Sequence, residues 1–226
     1  MHPLAPVLPD VPRWVEARAL LLSGECEVFG EPPSMVVRDP EAEDIYVLGD
    51  LDLRVVREAL QHHGRGGQVV ALPPHAPLLS ALLGQPAQPF TLFVHPDPAR
   101  FVSSDDVSFL DAHAIETLDA PQELIDELLV GREVSPIAAR FVGDRPVAFC
   151  YAGAITESLW DVSIDTLPDF QRRGFAAACA AFMIAHMHGL GREPVWQSLD
   201  TNEASWRLAQ KLGFREVDRL VLFEME

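Results

Sequence analysis

The residues best suited to chemistry lie in one short turn, Gln-Arg-Arg-Gly-Phe-Ala at positions 171–176. The turn joins a strand pattern to a helix pattern, and the first N–H groups of a helix have no intrahelical partner and attract anions. Gly174 allows a phosphate to approach the backbone, Ala176 keeps the wall low, and Arg172 and Arg173 add charged contacts. The pattern predicts a phosphate-binding turn, although a plain helix start would use similar residues. It has neither the lysine of a nucleotide-binding phosphate loop nor the three glycines of a dinucleotide-binding turn.

The elements that must position this turn can be predicted from hydrophobic periodicity and from the glycines and prolines that interrupt it. The second half is expected to contain strands and helices in this order: strands at 137–142, 147–152 and 159–166, a helix at 173–188, a strand at 195–199, a helix at 203–212 and a strand at 215–223. A helix at 121–129 precedes them, with Leu124, Leu128 and Leu129 on one side. The turn therefore lies between the third strand and the helix that follows it.

The first half is rich in proline and contains no catalytic motif. We predict helices and strands there as follows: helices at 14–22, 53–62 and 76–83, the second closed by Gly64, and strands at 45–49, 68–72 and 90–94. The segment 102–117 mixes polar and apolar residues and would join two lobes. We therefore expect an α/β region at 1–118 and a second domain at 119–226, and leave open whether the first is a diverged copy of the second.

Charge restricts the class of protein. The chain of 226 residues has a formal net charge of −17, which weighs against nucleic acid and anionic membranes as partners because both are bound through many Lys and Arg residues. It suits an enzyme with an amine-bearing substrate, or serves solubility alone. Without a signal peptide or a long apolar run, we expect a cytoplasmic protein, and a homodimer is left open. Cys26, Cys150 and Cys179 lack metal-ligand spacing and are expected to be buried as small hydrophobic residues, so no metal is predicted.

Two motifs together resemble a known family. Residues 171–176 resemble the Gln/Arg-x-x-Gly-x-Gly/Ala pyrophosphate loop of the GNAT N-acetyltransferases, and Asn202 with Lys-Leu-Gly-Phe at 211–214 resembles the family's Asn-led helix. The resemblance spans about residues 121–226, and the long N-terminal part is similar to that of zwittermicin-resistance-type acetyltransferases. It implies an α/β GNAT fold, with a mixed, mostly antiparallel sheet that splays at the acyl-CoA site, flanking helices and an N-terminal α/β extension. It also implies acetyl-CoA as the cosubstrate.

The resemblance assigns cofactor-binding roles to particular residues. The strand end at Ile164, Asp165 and Thr166 would pair its backbone with the pantetheine arm, as an added strand would. Asn202 would contact the pantetheine or cap the helix that follows it. The pyrophosphate of CoA would be held by the turn, through Gln171, Arg172, Arg173, Gly174, Phe175 and Ala176.

Acetyl transfer to an amine benefits from a base for the amine proton and an acid for the departing thiolate. Many family members carry a tyrosine acid seven residues after the asparagine, where this chain has Ala209. Ser205, one helical turn after the asparagine, is predicted as the acid, or as a small residue that packs near CoA. Asp161 alternates with Ser163 and Asp165 on one face of the strand and is predicted as the base. Solvent-facing polarity, or the orientation of a cationic substrate, would give the same alternation.

The sequence thus predicts an acetyl-CoA-dependent N-acetyltransferase acting on a small-molecule amine, or less readily on a protein N-terminus or lysine. The missing tyrosine keeps a second hypothesis open, in which the chain is a catalytically silent acyl-CoA-binding module that acts as a sensor or binds a partner. Both hypotheses require CoA binding. Only the enzyme would release free thiol from acetyl-CoA when an amine is supplied.

Overall fold

The computed structural model describes residues 1–102 and 105–225 of the chain. Their contacts define two compact units, and each unit is assembled from separate parts of the chain. The first consists of Met1–Leu92, Gln197–Trp206 and Glu216–Glu226, and the second of Phe93–Trp196 and Arg207–Arg215. A domain boundary at residues 118–119 stays a prediction.

The helices and strands have the following bounds in chain order: α1 (Val15–Ser23), β1 (Glu27–Glu31), β2 (Ser34–Arg38), β3 (Ile45–Gly49), α2 (Leu53–Gln61), β4 (Gln68–Ala71), α3 (Ala76–Leu83), β5 (Gln88–Val94), β6 (Val107–Phe109), α4 (Ala112–Glu116), α5 (Gln122–Val134), β7 (Ala138–Val142), β8 (Arg145–Ile155), β9 (Leu159–Thr166), α6 (Phe175–Gly189), β10 (Glu193–Leu199), α7 (Glu203–Leu212) and β11 (Arg215–Glu224). The predicted bounds of β3, α3, β9 and α7 are confirmed. The expected joining segment 102–117 contains β6 and α4, and its Ser103 and Ser104 lie outside the described residues.

Two predictions in the first half differ from the structure. The strands β1 and β2 were not predicted, because Gly30 and the Pro32–Pro33 pair break the apolar pattern that would have indicated them. The helix α2 ends at Gln61, so Gly64 does not close it. The Gly64 N–H instead donates a hydrogen bond of 2.7 Å to the Glu43 carboxylate.

The first unit contains a mixed sheet in the order β1-β2-β3-β4-β11-β5. The β1–β2 and β2–β3 pairs are antiparallel, β3 and β4 are parallel, and β11 runs antiparallel to β4 with Val221 opposite Ala71. Its core includes Val56 from α2, Leu79 from α3 and Phe223 from β11. A strand from the C-terminal part of the chain therefore completes the sheet of the N-terminal unit.

The second unit contains a sheet in the order β10-β9-β8-β7-β6. Its meander β6-β7-β8-β9 is antiparallel, and β9 runs parallel to β10. Leu128 of α5 is buried in the core of this unit, with Leu124 and Leu129 partly buried against the same core, as the sequence predicts. Consecutive strand residues point to opposite faces. Tyr151 contacts Gly131 of α5, whereas Cys150, the residue before it in β8, points to the side of α6. The two helices therefore cover opposite faces of the sheet.

The same order of elements occurs twice along the chain. The segment β1-β2-β3-α2-β4-α3-β5 repeats as β7-β8-β9-α6-β10-α7-β11. The pairing directions also correspond, since both segments have two antiparallel pairs followed by a parallel pair, β3–β4 in the first and β9–β10 in the second. The first half thus follows the topology of the second, a relation the sequence left open.

Candidate functional site

The turn between β9 and α6 has a backbone shaped to bind an anion. Arg172 and Gly174 both have left-handed dihedrals, with φ values of 59° and 84°. Left-handed residues that alternate with ordinary ones aim successive N–H groups into one concave nest. Because Gly174 is left-handed, α6 begins at Phe175 rather than at the predicted residue 173, and no side chain caps its start. Within the described part of the chain, the backbone N–H groups of residues 172–177 have no hydrogen-bond acceptor.

The surroundings of the turn are open and positively charged. A Cβ atom at Gly174 would meet nothing within 4 Å, so the space beside this residue is open. Arg172 and Arg173 are exposed and have no carboxylate partner among residues 1–102 and 105–225. The Arg173 guanidinium lies 5.2 Å from the ring centre of Phe170. Gln171 ties the turn to β9, because its Nε2 donates to the Thr166 carbonyl oxygen at 3.3 Å.

The strand β9 extends beyond its ladder with β10. The parallel ladder covers only Glu193–Val195 of β10 against Leu159–Asp161 of β9, whereas β9 continues to Thr166. On its other side, β9 stays paired with β8 as far as Thr166. The predicted pantetheine-binding residues, Ile164, Asp165 and Thr166, all lie in the part of β9 beyond the ladder. A short 3-10 helix at Pro168–Phe170 connects this part of the strand to the turn at residues 171–176.

Asp161, Ser163 and Asp165 share one face of β9, as their alternation predicts. The face is crowded near Gly153 of β8, where an added Cβ would lie 2.9 Å from Ser163 Oγ and 3.2 Å from Asp161 Oδ2. Asp161 is only 9% exposed. The solvent-facing interpretation is therefore wrong for Asp161, because its side chain is buried, whereas Ser163 and Asp165 are only partly buried.

Sequence reasoning missed a tyrosine on this face. The Tyr151 hydroxyl of β8 donates to Asp165 Oδ2 at 3.3 Å, and Tyr151 is only 7% exposed. Burial raises the pKa of Asp165 and the Tyr151 hydrogen bond partly opposes that increase. Burial also raises the pKa of Tyr151, with a further contribution from the charge of Asp165, so the phenol stays protonated. No local sequence signal joins the two residues, because their contact depends on the β8–β9 register.

The Asn-led helix is present as predicted. Asn202 caps α7, since its Oδ1 accepts a hydrogen bond of 3.1 Å from the Ser205 N–H, while a contact of Asn202 with pantetheine stays a prediction. Ala209 is fully buried. Its side chain is a methyl group, so this position supplies no hydroxyl. Asn202 and Ser205 belong to the first unit, whereas Asp161 and the turn 171–176 belong to the second.

The cysteines do not contribute reactive groups to this site. Cys150 and Cys179 are fully buried, as expected, while Cys26 is only half-buried, so the expectation is wrong for that residue. Burial raises the pKa of Cys179 to about 12, which keeps its thiol protonated. Among the described residues, no group of three His, Cys, Asp or Glu side chains could hold a metal ion. No described helix is long and apolar enough to cross a membrane.

Comparison with known proteins identifies the class of this fold. Residues 140–223 match the family model described as GNAT acetyltransferase, and the match includes the turn, β9 and the Asn-led helix. A structure of a putative GNAT-family acetyltransferase from Novosphingobium aromaticivorans is 16% identical, with a TM-score of 0.67, over 95% of this chain and 98% of that one. A GCN5-related N-acetyltransferase-like protein from Streptococcus suis is also 16% identical, with a TM-score of 0.68, over 98% of this chain and 95% of that one.

A third structure, a tandem GNAT protein from the clavulanic acid biosynthesis pathway, is 13% identical, with a TM-score of 0.53, over 94% of this chain and 87% of that one. No curated protein shows significant sequence similarity to the chain. The chain has the predicted GNAT fold, and its residues 140–223 match the GNAT acetyltransferase family model.

Proposed function

We propose that this protein is an acetyl-CoA-dependent N-acetyltransferase whose acceptor is the amine of a small molecule. The observation that carries the proposal is the run of N–H groups at residues 172–177, which have no acceptor among the described residues and lie between β9 and α6. Such a nest at the start of a helix binds a diphosphate through the backbone, and the two exposed arginines add charge. The GNAT acetyltransferase match supports the same cosubstrate.

The residues present fit acetyl-CoA at both ends of its phosphopantetheine arm. The turn from Gln171 to Ala176 would hold the pyrophosphate. The backbone of Ile164, Asp165 and Thr166 would pair with the pantetheine amides, because this part of β9 lies beyond the β10 ladder. The thioester would then lie beside β9, which is the strand that carries the buried Asp161.

In the proposed reaction, the amine nitrogen attacks the thioester carbonyl carbon. A C–N bond forms, the C–S bond breaks, and the amine loses a proton while the CoA thiolate gains one. Asp161 is our candidate for taking up the amine proton, because it is a carboxylate on the face of β9 covered by protein. Ser205 is our candidate for protonating the thiolate, since Ala209 replaces the tyrosine used by many family members.

A direct test uses the purified chain with acetyl-CoA and a panel of small primary amines. Calorimetry with CoA should give micromolar affinity, and a thiol-reactive dye should detect free CoA that accumulates only when an amine is present. Binding without thiol release from any amine would favour the silent acyl-CoA-binding module, for which the buried Ala209 is the supporting observation. Absence of binding to both CoA and acetyl-CoA would contradict both hypotheses.

Replacement of Ser205 by alanine tests the proposed acid separately. The backbone N–H of residue 205, which Asn202 caps, is retained in the variant, so α7 should form normally. We expect kcat to fall about 10²-fold, the usual contribution of a general acid, while the Kd for CoA and the Tm stay unchanged. Turnover equal to that of the wild type would exclude Ser205 from this role.

The small-molecule acceptor and the cytoplasmic location remain predictions from the sequence, and a homodimeric assembly remains open. The acceptor can be identified with the same amine panel. Gel filtration with light scattering would determine the assembly.

A further inference from the structure

We propose that Asp165, rather than the sequence-predicted Asp161, takes up the proton of the acceptor amine, and that Tyr151 is the positioning residue that orients Asp165 for this step. The inference rests on the proposed acetyl transfer and replaces the candidate base by a second carboxylate of the same strand. It is carried by contacts within the second unit alone, between α5, β8 and β9.

The register of β8 and β9 explains how the two side chains meet. Ser163 is directly opposite Tyr151, and Asp165 is directly opposite Phe149. The Tyr151 side chain therefore reaches diagonally along the sheet to Asp165, a distance that a long aromatic side chain can span. The 3.3 Å hydroxyl–carboxylate distance is longer than the roughly 2.8 Å typical of such bonds. Catalytic hydrogen bonds are often long before the substrate binds.

The helix α5 packs closely against the Tyr151 ring because the residue of the helix that contacts the ring is a glycine. Gly131 lies against the ring, and a Cβ atom there would come within 2.3 Å of Tyr151 Cδ2. Any other residue at position 131 would displace the ring and with it the hydroxyl. Glycine in the middle of a helix lowers helix stability. The close approach of the Tyr151 ring explains why position 131 is nevertheless a glycine.

Charged and titratable groups face Asp165 from each element packed against it. Tyr151 lies on β8 and donates a hydrogen bond, and Glu127 lies on α5, where partial burial and the charge of Asp165 raise its pKa. Cys150, on the opposite face of β8, stays a neutral thiol because burial raises its pKa. Asp165 itself is half-buried, and burial raises its pKa. A carboxylate with a raised pKa is a stronger base for a protonated amine than an exposed one.

The position of Asp165 in β9 suits this role. Its backbone belongs to the part of the strand proposed to pair with pantetheine, while its side chain points to the face covered by α5. In the proposed step one ammonium proton passes to the Asp165 carboxylate, and the free amine then forms the C–N bond as the C–S bond breaks. The nitrogen loses its second proton to water as the amide forms. The CoA thiolate takes up a proton from the acid or from water. The step requires no further reactant.

The test compares D165N, Y151F and D161N in the full chain, using pH profiles of kcat/KM with the best amine of the panel. D165N should reduce kcat/KM at least 100-fold and leave the Kd for CoA within twofold. Y151F keeps the ring beside Gly131 but removes the hydrogen bond that lowers the Asp165 pKa. Its acidic limb should therefore shift to higher pH, which a purely structural role of the hydroxyl would not produce.

The inference would be overturned by a Y151F profile that superimposes on the wild type, or by D165N activity within threefold of the wild type. If D161N alone abolished turnover, Asp165 would be excluded and the proposed acetyl transfer would still stand. If the wild-type chain released no thiol with any amine, the proposed function itself would fail. Because Y151F removes only a hydroxyl group, it tests the inference even if D165N does not fold.

Discussion

At the scale of single residues, the burial of Asp165 has a cost in stability. Burial raises the pKa of its carboxyl in the folded state above that of the unfolded chain. A group with a raised folded pKa supports the fold below the unfolded pKa, and this support is lost as the pH rises through the folded pKa. At neutral pH the ionised side chain therefore opposes folding, while the same burial makes it a better base.

Removing the charge of Asp165 should therefore stabilise the protein at neutral pH. We expect D165N to raise the free energy of unfolding at pH 7 by on the order of 1 kcal/mol, a common gain when a functional residue is neutralised. The gain should shrink as the pH is lowered. Urea unfolding at pH 7 and at pH 4.5 would measure both effects, with D144N in the exposed turn between β7 and β8 as the matched control. A gain that is equal at both pH values would contradict the explanation.

Of the properties of these residues, the sequence predicted those that depend on neighbours along the same strand. Alternation along one strand was enough to place Asp161, Ser163 and Asp165 on one face. The contact with Tyr151 was not predictable, because it depends on the register between two strands and on Gly131 of a separate helix. The burial of Asp161 was missed for the same reason, since covering elements do not appear in the pattern of the strand itself.

At the scale of elements, the two copies of the topology differ at the start of the helix that follows the third strand. In the first copy, the Asp52 side chain caps α2 by accepting from the Arg54 N–H at 2.8 Å. Hydrogen bonds from Arg54 lower the pKa of Asp52 to about 2, so the cap is ionised at neutral pH. A carboxylate there repels phosphate, whereas Gly174 leaves the start of α6 free to bind it. The proposed anion-binding role therefore fits the turn before α6 and not the start of α2.

Replacement of Gly174 by valine tests that turn. Valine is strained at a φ of 84° and would place methyl groups in the open space proposed for the phosphates. We expect the affinity for CoA to fall at least 100-fold, with a loss of stability of about 1–2 kcal/mol from the left-handed backbone. Calorimetry with CoA and thermal unfolding would measure the two effects.

Gly191 provides a matched control for this change, because it has a φ of 78° and equally empty surroundings. The G191V variant should lose similar stability and keep its CoA affinity. Micromolar CoA binding by G174V would mean that the turn does not hold the pyrophosphate.

Most elements could be predicted because their apolar pattern and their ends were both encoded locally. Gly213, with a φ of 94°, follows α7 directly, and the predicted bounds of that helix were confirmed. The start of α6 was predicted two residues early, because left-handed dihedrals at Arg172 and Gly174 delay the helix without changing its periodicity. The first two strands were missed where glycine and proline interrupt them.

At the scale of the whole molecule, each compact unit draws on distant parts of the chain. The first unit includes residues 197–206 and most of β11 besides the N-terminal 92 residues. Val221 and Phe223 of β11 are buried in its core with Val69 of β4 and Leu79 of α3. Sequence periodicity predicted β11 as a strand but could not show which sheet it joins, since pairing between distant strands leaves no periodic signal.

A fragment of residues 119–226 should therefore be poorly folded even though it contains the family motifs. Without β4, the apolar side chains Val221 and Phe223 lose the core in which they are buried. The strand β11 then has an unpaired edge, which promotes aggregation. We expect the fragment to aggregate or to lose cooperative unfolding, and the full chain to unfold cooperatively. Gel filtration and circular dichroism would compare them, and a monomeric fragment with a sharp transition would contradict the expectation.

The pairing of β4 with β11 also has a consequence for the time at which the protein can fold during synthesis. Ala71 pairs with Val221, so about 150 residues separate the two partners, and a ribosome adding about 5–20 residues per second needs on the order of 10–30 s to make them. During that interval the nascent chain carries β4 with one edge exposed, the kind of surface that promotes association between chains. Completion of the N-terminal sheet is therefore a late event of translation, although its first strands are synthesised early.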